Sequence, residues 1–84
     1  MKTDLSDFEA FFTDHYVTVC RALYLALGNE DDAEEAAQEA FARAFRRWDD
    51  VAAAERPGTW VFVVAVREAR RVQQRRRPRQ YLGR

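Results

Sequence analysis

The 84-residue chain holds one cysteine, one lysine, one histidine, two prolines and three glycines. A lone cysteine, Cys20, excludes an internal disulfide and makes a reducing, cytoplasmic setting the expectation. The longest uninterrupted apolar run, residues 60–66, falls far short of the ~20 residues that a membrane-spanning helix needs. The opening residues are polar and acidic, unlike a signal peptide. His15 is the single histidine and has no cysteine at ligand spacing, and no glycine-rich phosphate loop is present. No metal, cofactor or enzymatic activity is therefore expected. His15 and Cys20 both lie on an apolar helical arc, where packing is their ordinary role.

What is abundant is apolar and charged. Apolar residues make up 48% of the chain, and the aromatics are six Phe, three Tyr and two Trp, so a folded core is expected rather than disorder. A single domain this small buries little, and helices packed through aromatics are an economical solution. The net charge of zero conceals a split. Residues 1–42 carry ten acids and two bases, Lys2 and Arg21; residues 43–84 carry twelve arginines and four acids. The halves are therefore about −8 and +8, which suggests partners of different character: a polyanion for the second half, a basic protein surface or plain solvation for the first. Arginine is the better fork for phosphate, although genomic base composition accounts equally well for the bias over lysine.

A first helix is expected from Ser6, where Ser6-Asp7-Phe8-Glu9 has the form of a capping box. Phe8, Phe11, Phe12, Tyr16, Val19, Leu23 and Leu27 then recur on one face, and Gly28 supplies a left-handed stop. A second helix follows, capped by Asn29 or Asp31. At 100° per residue, Ala33, Ala36, Ala37, Phe41, Ala44, Phe45 and Trp48 share one side of it, whereas Glu35, Gln38, Glu39, Ala42 and Arg46 share the other. The first set packs a core. The second is a polar stripe with a small residue, Ala42, at its centre, where another backbone could approach closely. Acids at the start of this helix and Arg43, Arg46 and Arg47 at its end also suit the helix dipole, which explains part of the gradient without any partner.

Residues 49–58 read as a loop punctuated by Pro57-Gly58, with a short extra helical turn around Ala52-Ala53-Ala54. Residues 60–66 have strong strand propensity but no partner strand, and the residues after them are good helix formers. One long helix capped by Thr59 is therefore expected, with tertiary packing overriding the β-branched residues. Arg67, Arg70, Arg71 and Gln74 share a face of it, residues 75–77 extend the basic end, and Pro78 stops it. The fold expected is all-α, a compact three-helix bundle over residues 1–78, with 79–84 as the start of a linker. The acids are expected at exposed helix positions.

The ordered set of Phe8, Phe12 and His15-Tyr16, then Leu27-Gly28 with Asp32-Ala33-Glu34, then Gln38-Glu39-Ala40-Phe41, Arg46 to Trp48, and Pro57, Trp60 and Ala65 resembles the region-2 domain of bacterial RNA polymerase sigma factors of the extracytoplasmic-function group. The resemblance runs from about Phe8 to Arg77. It implies a helical bundle whose second helix docks on the clamp helices of the polymerase β′ subunit, at positions matched here by Glu35, Gln38, Glu39, Ala42 and Arg46. It implies that the loop before the last helix, and that helix, bind the −10 promoter strand and help open the duplex. Here those residues are Arg56, Trp60, Arg67, Arg70, Arg71, Gln74 and Arg75. An anti-sigma factor is an implied further partner, and the family's second, −35-reading domain has no counterpart in this chain.

The chain departs from the family pattern in its last helix. Val66-Arg67 stands where Arg-Asn often follows the Ile/Val-Ala pair, and Val63 stands where a basic residue is frequent. Phe62, Val63 and Val66 are expected to form an apolar strip beyond what the core needs. That strip supports the alternative of a degenerate sigma-like domain that binds a regulator and no DNA.

Overall fold

A computed structural model describes residues 5–76, all four of its elements helices: α1 (Leu5–Leu27), α2 (Glu30–Arg46), α3 (Trp48–Ala53) and α4 (Pro57–Arg76). The three long helices form the expected bundle. The extra turn expected in the 49–58 loop is a six-residue helix that begins earlier, at Trp48, and ends at Ala53. The stop at Pro78, residue Arg77 and the linker from 79 lie outside the described residues.

Local chemistry explains the boundaries, with two corrections. Gly28 has φ +72° and its N–H donates to the Tyr24 carbonyl at 2.8 Å, so the chain reverses at a left-handed residue that a side chain would strain. Asn29 caps α2, its side-chain oxygen accepting from the Asp32 N–H at 2.9 Å; Asp31 sits in the first turn instead. Leu5 is already helical, so Ser6 lies inside α1 rather than at its boundary. Thr59 does not cap α4 either. Pro57 opens that helix, where its missing N–H costs nothing, and the Arg56 carbonyl accepts from the Trp60 N–H at 3.1 Å.

The core is built around α2. Ala33, Ala36, Ala37, Ala40, Phe41 and Ala44 are all buried, and the arc they cover is wide because α2 packs against α1 on one side and α4 on the other. Phe41 meets α1, its ring lying 5.8, 5.1 and 5.5 Å from those of Phe11, Phe12 and Tyr16. These distances and tilts suit aromatic pairs. On α4 the buried positions are Val61, Ala65, Glu68, Ala69 and Val72, a helical spacing rather than an alternating one. The β-rich stretch 60–66 is helical because burial follows 61, 65, 69 and 72.

Several expected core residues sit at the margin. Phe45 is 52% exposed, touching Phe8 at 5.1 Å between ring centroids. Phe12 is 37% exposed and stacks on Tyr16 at 4.6 Å. Val66 packs partly on the core, so the surplus apolar strip narrows to Phe62 and Val63. His15 is half-buried, its ring 4.8 Å from that of Phe11, as a core-edge residue should be. Trp60 and Cys20 likewise pack on the core.

The α1–α4 contact is tight at Gly58, where an added Cβ would lie 2.8 Å from the His15 Cε1 atom. Gly58→Ala should therefore lower stability by about 1–3 kcal/mol through overpacking. This would occur despite a helix-propensity gain of up to about 1 kcal/mol. Chemical denaturation checks it, and the loss should vanish in a His15→Ala background.

Candidate functional site

The polar stripe of α2 and the basic half of α4 meet in one groove of about 560 Å³. Glu35, Gln38, Glu39, Ala42 and Arg43 of α2 form one wall; Glu68, Arg71, Val72 and Arg75 of α4 form the other. Val72 is 2% exposed and lies within the core, so the groove is polar-walled over an apolar base. Helical spacing at 35, 38, 39 and 42, which puts these residues on one surface, explains the first wall.

Ion pairs lace the groove. The Arg43 guanidinium lies 3.2 Å from Glu39 within α2 and 2.7 Å from Glu68 across to α4. Arg46 reaches the same Glu39 carboxylate at 3.4 Å. Arg75 pairs with Glu35, forty residues away in sequence. Outside the groove, Arg47 pairs with Asp50 at 3.1 Å.

Two acids expected at exposed positions are buried: Asp32 at 6% and Glu68 at 6% exposure. Asp32 follows the wide buried arc of α2. Glu68 sits between Val61, Ala65 and Val72 on the inward face of α4, with Arg43 compensating its charge. The Arg43–Glu68 pair was not visible in the sequence, because 25 positions separate its members and each taken alone reads as helix surface.

The expected nucleic-acid residues divide. Arg67, Arg70 and Gln74 are exposed on the side of α4 that also carries exposed Val63, opposite the buried 61, 65 and 72. Arg71 and Arg75, also exposed, line the groove beside α2. Arg56 is exposed just before α4, and Trp60 is half-buried at its start. At 1.5 Å per residue, about 20 Å of helix separates Trp60 from Gln74. The expected α2 set, by contrast, stays together: Glu35, Gln38, Glu39, Ala42 and Arg46 all avoid the core.

Gln38 is also tied to α1. Burial pushes the Tyr16 phenol above its usual value, the Cys20 thiol adds to the rise, and a hydrogen bond with Gln38 opposes it. A second hollow of about 680 Å³ lies at the far end of α2, between Leu5, Phe8, Phe45, Trp48 and the charged residues 46, 47, 49 and 50. The Trp48 indole N–H faces no hydrogen-bond partner among the described residues. No cluster of three or more His, Cys, Asp or Glu residues placed to hold a metal occurs among the described residues. None of the described helices is long and apolar enough to cross a membrane.

Two stability outcomes follow from these placements. Arg43→Ala leaves Glu68, whose side chain is 9% exposed, without its cation. Stability should fall by about 1–3 kcal/mol, the cost of an unsatisfied buried polar group. Glu68→Gln should recover part of that loss in a double-mutant cycle. For Tyr16, the raised folded-state value means its contribution is full below the unfolded phenol value and is lost as pH rises through the folded one. Urea midpoints measured between roughly pH 9 and 11 should fall more steeply for the parent than for Tyr16→Phe.

A family model described as sigma-70 region 2 matches residues 11–79, most of the chain and nearly all of the bundle. No curated protein and no solved structure matches.

Proposed function

The chain belongs to the sigma-70 region 2 family, whose members are non-enzymatic transcription factor domains, and on that premise we propose that it is the core-polymerase and −10 domain of a cytoplasmic sigma factor of the extracytoplasmic-function group. The observation that carries the reading is the division of labour on one small bundle. The α2 stripe of Glu35, Gln38, Glu39, Ala42 and Arg46 presents carboxylates around a half-buried alanine, a surface for a basic, closely packed helix pair such as the β′ clamp helices. The outward side of α4 presents Arg67, Arg70 and Gln74 with no carboxylate of α4 beside them. Single-strand capture needs such positive charge along the backbone together with a platform for unstacked bases. Arg56 and the exposed edge of Trp60 stand at the other end of the same helix, beside the 54–56 turn.

A second reading is favoured by one observation. Phe62 and Val63 are 41% and 42% exposed on α4, where a strand-binding helix would profit from polar or basic side chains. A sigma-like module that engages a regulator, such as an anti-sigma factor, through this strip and binds no DNA accounts for them.

The experiment pairs a core-binding assay with permanganate footprinting of the −10 region. Glu39→Lys should weaken binding to a β′ clamp-helix fragment by about 2 kcal/mol, as expected for a charge desolvated in an interface. Arg67→Ala with Arg70→Ala should reduce promoter melting by the full-length factor while core binding survives. Melting unaffected by that pair would favour the regulator-binding reading. Unchanged clamp affinity in a folded Glu35, Gln38 and Glu39 triple-alanine variant would remove α2 from the account.

A further inference from the structure

We propose that Arg71 and Arg75 belong to the protein-docking surface rather than to the nucleic-acid track, so that the partner seated on α2 is a helix carrying charges of both signs that reads the whole α2–α4 groove. The inference rests on the reading that α2 docks on polymerase, and extends that interface onto α4.

The groove's charge argues against a nucleic-acid strand. Three carboxylates, Glu35, Glu39 and Glu68, and three guanidinium groups, Arg43, Arg71 and Arg75, line the groove together. A phosphate chain entering there meets no net attraction and sits close to like charge. The outward face of α4 differs, since Arg67 and Arg70 stand on it without an acidic neighbour from their own helix. Polyanion affinity follows net local charge, and the charges lining the groove cancel whereas those of the outward face do not, so the track runs over the outward face.

The groove's contents suit a protein helix. Arg75 is already bonded to a carboxylate, that of Glu35, and so shows the geometry in which this wall holds an acid. Arg71, one turn before it, has no carboxylate within ion-pair distance among the described residues and is exposed, ready for an acidic side chain of the partner. Glu35 and Glu39, 42% and 43% exposed, offer the complementary anions. Ala42, about one turn beyond Glu39, leaves room for close approach. Interfaces of this kind obtain register and selectivity from alternating charge more than raw affinity.

The test measures two affinities for the 84-residue protein and its variants: for a β′ clamp-helix fragment, and for a single-stranded −10 oligonucleotide across a salt series. Arg71→Ala with Arg75→Ala should weaken fragment binding at least fivefold and leave the slope of log affinity against log salt unchanged for DNA. Arg67→Ala with Arg70→Ala should do the reverse, flattening that slope by about 1.4 for two lost single-strand contacts. Arg71→Glu, which leaves the Arg75–Glu35 pair intact, should weaken fragment binding more than Arg71→Ala, separating a direct role from loss of that pair. The inference is overturned if Arg71→Ala with Arg75→Ala flattens the DNA slope or leaves fragment affinity untouched while Glu35→Ala with Glu39→Ala still lowers it. Should the two glutamates prove irrelevant to fragment binding, the docking reading of α2 itself fails, and the inference with it.

Discussion

The structure depends on the burial of one helix from two sides. Five alanines of α2, at 33, 36, 37, 40 and 44, are between 0 and 1% exposed, with Phe41 the one large side chain among them. Small side chains let α1 and α4 approach the α2 backbone, and the larger groups that fill the remaining space come from the neighbours: Phe11, Val19 and Leu23 from α1, Val61 and Val72 from α4. Such packing tolerates little enlargement, because interiors are already dense. It also fixes the rotation of α2 about its own axis. With half of its circumference committed to the core, the other half is defined without any further interaction, and that half carries Glu35, Gln38, Glu39, Ala42 and Arg46.

The same sandwich brings the two charged halves of the chain into contact. The acidic half runs into α2 and the basic half includes α4, and their packing brings carboxylates and arginines together along a shared groove. The energetic weight of these pairs is uneven. Arg46–Glu39, Arg47–Asp50 and Arg75–Glu35 are substantially exposed, and pairs of that kind contribute little to stability. Arg43–Glu68 is different because the glutamate is nearly withdrawn from water. One buried carboxylate thus makes Arg43 structural, while the exposed pairs orient their side chains and add little stability. The neutral groove and the uncompensated outward arginines are two electrostatically distinct surfaces of one helix, which a net charge of zero obscures.

How much of this was legible varies by element and for physical reasons. The α2 polar stripe was readable residue by residue, since 3.6-residue periodicity alone places it. Ala40, absent from the expected core set, is fully buried, and helical geometry places it inside the same apolar arc, between Ala36 and Ala33. Phe45 lies at the edge of that arc, and among the described residues it touches Phe8 and stays 52% exposed. The cap at Asn29 and the left-handed Gly28 were legible from side-chain chemistry. α1 and α4 start one and two positions before Ser6 and Thr59, because Ser and Thr near a boundary signal a cap without fixing where the helix begins.

The sequence by itself determined the helical class, the polar stripe of α2, the opposed charge of the two halves and the membership that residues 11–79 record. All of these follow from local periodicity and residue type, which need no knowledge of neighbours. Tertiary structure supplies the reason that residues 60–66 are helical as expected, since isolated propensity favours a strand and burial at 61, 65, 69 and 72 follows the helical period. It alone decided that Glu68 is buried against Arg43, and that Arg71 and Arg75 leave Arg67 and Arg70 to join the carboxylates of α2. A helical wheel assigns each side chain a direction, but which direction faces a neighbour depends on where that neighbour packs.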